Sequence, residues 1–85
     1  MIGELVEYVV GSLVTEADAV KVTATEHPGR VEVDLSVASD DYGRVIGRNG
    51  QTISAIRTLA SVLGKRHGVD VAVEVTNPDE PSRRR

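Results

Sequence analysis

Eighty-five residues with no cysteine, no Phe and no Trp leave room for one small aliphatic core and not for a second. Missing cysteines exclude disulfides, thiolate metal sites and thiol nucleophiles. At face value, a formal charge of −3 and only two rings, Tyr8 and Tyr42, argue against a nucleic-acid reader that stacks bases on aromatics.

Residues 3–14 set Leu5, Val6, Val9, Val10 and Leu13 on one stripe at helical spacing, with Glu4 and Glu7 near the favourable N-terminal end. Those two acids and the lack of a preceding basic stretch argue against an export leader, and no apolar run nears the roughly 20 residues of a membrane span. Residues 15–19 read as a connection. Residues 20–26 alternate apolar and polar like a half-buried strand, and 31–37 alternate more cleanly through Val31, Val33, Leu35 and Val37. His27-Pro28-Gly29 between them is a turn signal, so the pair predicts an antiparallel hairpin.

Residues 38–41 form a loop in which Ser39, Asp40 or Asp41 is a candidate helix cap. A short helix is expected over 41–46, ending at Gly47. A longer one covers 51–66, with Ile53, Ile56, Leu59 or Ala60, and Leu63 inward, and Gly64 or Gly68 as its stop. Residues 69–75 alternate as a third strand. Residues 77–85, with two prolines and no large apolar side chain, predict a flexible tail after a single domain over 1–76. The order α-β-β-α-α-β is that of an α+β domain: a three-stranded mixed sheet with its helices on one face, the long crossover letting the last two strands run parallel.

The mean charge hides an asymmetry. Residues 1–42 hold nine acids and two bases, whereas 43–68 hold five bases (Arg44, Arg48, Arg57, Lys65, Arg66) and no acid. The basic stretch contains Gly47-Arg48-Asn49-Gly50 between the two predicted helices. A Walker loop is excluded, because Val45 stands where its first glycine belongs and Gln51 where its lysine belongs; a dinucleotide fingerprint is excluded by the missing third glycine and the preceding helix. A Gly-x-x-Gly turn suits a chain of phosphodiesters instead. Glycines admit a polymer backbone, the following helix offers free N–H groups and the positive end of its dipole, and Arg48 adds a cation. Val45, Ile46 and Ile53 flank the turn and supply an aliphatic floor for bases, so rings are not required.

At this point the chain resembles the K-homology (KH) family. Val45-Ile46-Gly47-Arg48-Asn49-Gly50-Gln51-Thr52-Ile53-Ser54-Ala55-Ile56 matches the signature Val-Ile-Gly-x-x-Gly-x-x-Ile-x-x-Ile at each fixed position, and the element order resembles the type II KH fold. Over about residues 1–76 it is most similar to the small single-KH KhpA family. That resemblance implies a cleft gripping about four nucleotides of single-stranded RNA, with Gly47, Arg48, Asn49 and Gly50 as the clamp, Val45, Ile46 and Ile53 under the bases, and Arg44 and Arg57 as further phosphate contacts. It also implies a cytoplasmic homodimer with a larger KhpB-type partner, acting as an RNA chaperone or post-transcriptional regulator that affects cell envelope and cell length. Gln51 departs from the pattern, where a basic residue is common. A protein-interaction or assembly module with a vestigial cleft is the alternative. No Ser-His-Asp or paired-carboxylate arrangement points to an enzyme, and no ligand spacing to a metal or cofactor.

Overall fold

The computed structural model describes residues 2–78. Helix α1 (Ile2–Gly11) leads through a 3₁₀ turn to strands β1 (Lys21–His27) and β2 (Arg30–Ser36). A second 3₁₀ turn precedes α2 (Tyr42–Ile46), the turn Arg48–Gly50 joins it to α3 (Gln51–Arg66), and β3 (Asp70–Val75) closes the order. The sheet runs β1-β2-β3, with β1 antiparallel and β3 parallel to β2. The α+β class, the mixed sheet and the three helices are therefore as the alternation and helical spacing foretold. Of the expected tail, residues 79–85 lie outside the described residues.

Strand β2 is central and carries the core. Val31, Val33 and Leu35 are buried on its helix-facing side, joined by Val73 of β3. Above them sit Ile2, Val6 and Val10 of α1, Val45 of α2, and Ile53, Ile56 and Ala60 of α3. Their burial provides most of what holds so short a chain together, at about 25 cal/mol per Å² of apolar surface. Gly64 is buried inside α3, where an added Cβ would stand 2.8 Å from the Val69 carbonyl oxygen. It is thus a packing position; the helix stops two residues later, near Gly68.

Three expectations change, and the open choice between Leu59 and Ala60 is settled. The first helix ends at Gly11, so Leu13 falls beyond it and is 39% exposed. Strand β1 is exposed along its length apart from half-buried Val22, because it is a sheet edge that α1 covers incompletely. Ala60, not Leu59, faces the core; Leu59 is 51% exposed. Asp41 makes no capping hydrogen bond to α2, and it is the one charged side chain buried among the described residues.

Candidate nucleic-acid interface

The turn at 47–50 stands on buried supports. Val45, fully buried, fixes α2 to the core, and the Gly47 amide caps that helix by donating to the Gly43 carbonyl at 2.9 Å. Gly47 has φ 77° and ψ 171°, and a Cβ there would press on the Thr52 side chain and stand 2.8 Å from the Thr52 amide nitrogen. No side chain fits, so α2 and α3 meet closely at this point. Asn49 (φ 56°) and Gly50 (φ 73°) then turn left-handed in succession, and the Gly50 amide donates back to Gly47 at 3.1 Å. A Cβ on Gly50 would meet nothing within 4 Å. The turn therefore presents an open backbone at the start of α3, where the positive end of the helix dipole favours an anion.

The nine predicted site residues divide by depth. Arg48 and Asn49 are exposed at the turn, and among the described residues Arg48 has no ion-pair partner. Ile46 is half-buried and forms the accessible aliphatic surface. Val45 and Ile53 are buried, so of the three residues expected to form the floor only Ile46 offers accessible surface. Arg44 is exposed and its Nε lies 3.3 Å from Asp41 Oδ1. Arg57 donates its Nε–H to the Val73 carbonyl at 3.2 Å, spanning from α3 to β3. β3 is the sheet edge beside α3, and this contact ties the two elements together.

Asp41, one of the three candidate caps, stands at the N-cap position of α2 but spends its carboxylate elsewhere. Its Oδ1 accepts from the Thr15 amide and the Thr15 hydroxyl, both at 2.9 Å, and its Oδ2 from the Glu16 amide at 3.0 Å. Chiefly the Thr15 amide, with the Glu16 amide, the Thr15 hydroxyl and the Arg44 charge, holds the carboxyl below the ordinary aspartate range, against the opposing effect of burial. One carboxylate thus ties the α1–β1 connection to the start of α2 and sets Arg44 beside it. The donors lie 25 and 26 residues upstream, so no local pattern could signal them.

Electrostatically the site is one-sided. Residues 43–68 contain no acid, and Asp41, which precedes them, has its oxygens committed. No helix among the described residues is long and apolar enough to cross a membrane.

Comparison with known proteins agrees with this geometry. The family described as KhpA/KhpB, KH domain matches residues 3–75. Similar chains named RNA-binding protein KhpA occur in several bacteria. The one from Leifsonia xyli is 40% identical over 73 residues, covering 84% of this chain and 96% of its own. That from Caldanaerobacter subterraneus is 37% identical over 73 residues, covering 86% and 97%. That from Chlamydia pneumoniae is 35% identical over 72 residues, covering 85% and 92%.

Proposed function

The chain belongs to the KhpA/KhpB KH-domain family, a family of binding proteins and not of enzymes, and from that premise we propose that it binds single-stranded RNA at the 47–50 turn. The observation that carries this is the open left-handed turn Asn49-Gly50, feeding into α3 with Arg48 beside it and no acid in residues 43–68. About four nucleotides lie between the turn and the β3 edge. Their phosphates meet the open backbone at Asn49 and Gly50 and the side chains of Arg48, Arg44 and Arg57, and a base rests on Ile46. The KH domain comprises residues 1–76.

So small a footprint gives weak binding, and avidity restores it when two sites are joined. The protein accordingly acts as a homodimer or with a larger KhpB-type partner, in the cytoplasm, as an RNA chaperone or post-transcriptional regulator with effects on cell envelope and cell length. Arg48→Asp combined with Asn49→Asp tests the cleft. Wild type binds a short single strand with a salt slope of roughly −2 to −3, for three or four phosphates. The double variant keeps its circular dichroism spectrum and loses binding; wild-type affinity in that variant refutes the assignment.

A second reading, an assembly module, draws on exposed apolar side chains: Tyr8 at 76%, Val62 at 56% and Leu59 at 51%. Light scattering beside an RNA titration at low salt separates the two. A dimer without RNA affinity favours assembly.

A further inference from the structure

Past its first turn, α3 carries Arg57, Ser61 and Lys65 at four-residue spacing, hence on one stripe of the helix. With Thr58 and Val62 they line one open depression of about 300 Å³. Both of its charges are positive, and among the described residues neither is in an ion pair. Val71, Val73 and Val75 of β3 pack with the core, so Asp70 and Glu74 belong to the other face of the sheet. Arg57 is anchored through Nε to the Val73 carbonyl, which leaves four of the five N–H donors of a guanidinium for a ligand. Thr58 donates its hydroxyl to the Ser54 carbonyl at 3.0 Å, so Ser61 supplies the neutral donor. Val62 provides an apolar patch for a ribose or a base.

The depression lies further along the same helix that begins at the glycine turn, and Arg57 is among its lining residues. Counting from Gly50, Arg57 stands about 10 Å and Lys65 about 22 Å along the helix axis at about 1.5 Å per residue. Arg57 belongs to both the proposed cleft and the depression. A strand clamped at 47–50 and led past Arg57 arrives at Ser61 and Lys65.

We propose that Arg57, Ser61 and Lys65 form a second phosphodiester site, so that the protein reads RNA length beyond the four nucleotides of the cleft. The proposal rests on the RNA-binding reading above. It gives Lys65 a binding role in addition to its favourable place in the last turn of a helix.

The test titrates the full chain with oligouridylates of four and eight nucleotides over a range of salt. Wild type binds the octanucleotide more tightly, with a slope steeper by about 0.7 to 1.4, for one or two added phosphates. Lys65→Gln weakens octanucleotide binding roughly three- to tenfold and lowers its slope by about 0.7, leaving the tetranucleotide unchanged. Lys65→Arg restores the length dependence, and the melting temperature of each variant checks the fold. Failure of the cleft reading shows as no tetranucleotide binding. Failure of the second site shows as tetranucleotide binding with no gain for the octanucleotide, or as a gain that Lys65→Gln leaves intact. A Lys65→Gln change in self-association alone means that this face meets protein, and it also overturns the proposal.

Discussion

On its leading side the 47–50 turn is held by packing and hydrogen bonds: Val45 in the core, Gly47 against Thr52, and buried Asp41 accepting from Thr15 and Glu16. On its trailing side, Asn49 and Gly50 turn in open space, with Arg48 unpaired among the described residues. Both sides use glycine, for opposite reasons. Gly47 leaves room for another part of this chain, and Gly50 leaves room for something outside it. A binding loop needs both, since a backbone that is to meet a ligand must be immobile before it arrives. Changes on the leading side should therefore damage fold and binding together, and changes on the trailing side binding alone.

The largest break is Gly47→Ala. The φ of 77° with ψ of 171° lies in a region open almost solely to glycine, and the new methyl group meets the Thr52 backbone. Strain and overpacking together cost about 3 kcal/mol, which lowers the melting temperature of a domain this small by roughly 15 °C. RNA affinity should fall with it. Thermal melting followed by circular dichroism, with a binding titration well below the transition, checks both. A variant that melts like wild type removes the packed-side account.

Asp41→Asn comes next. Asparagine matches the shape and not the charge, and its amide nitrogen cannot accept from the donors that now converge on the carboxylate. The melting temperature should drop by several degrees, with a smaller loss of RNA affinity through displaced Arg44. The pH dependence is the sharper readout. Because the native carboxyl titrates below its ordinary value, the unfolded chain takes up the proton first as pH falls. The contribution of Asp41 is complete above about pH 4, the unfolded aspartate value, and is lost as pH falls through the lower native one. Asp41→Asn should flatten that part of the acid limb in urea denaturation across pH 2–6. An unchanged limb removes the buried-anchor account.

How legible each part was follows from the range of the interactions that build it. The strands and α3 were readable because alternation at Val31, Val33 and Leu35, and helical spacing at Ile53, Ile56 and Leu63, are local patterns that the core enforces. The turn was readable because Gly47 and Gly50 bracket a fixed spacing. Depth was not. Val45 and Ile53 look like Ile46 in sequence, yet only the packing of α2 and α3 on the sheet decides which side chain a base can touch. The exposure of β1 depends on how far α1 reaches across the sheet, and Asp41 is defined by donors 25 and 26 residues away. Net charge misled for the same reason: the nine acids of residues 1–42 include one that serves the basic site from below.

The smallest effect on stability, and the cleanest separation of the two sides, should come from Gly50→Asn. Asparagine tolerates the left-handed region better than other side chains, and it is a favoured residue at the start of a helix. Its Cβ would enter empty space, so the fold should change by no more than about 1 kcal/mol. A phosphodiester backbone lying against Gly50 would meet that same Cβ directly. Severalfold weaker RNA binding with an almost unmoved melting temperature is therefore the expected result. The contrast with Gly47→Ala, where affinity and melting fall together, isolates the atom on which the open side depends. Full affinity in Gly50→Asn would place the RNA backbone elsewhere along α3 and leave Gly50 with a purely conformational role.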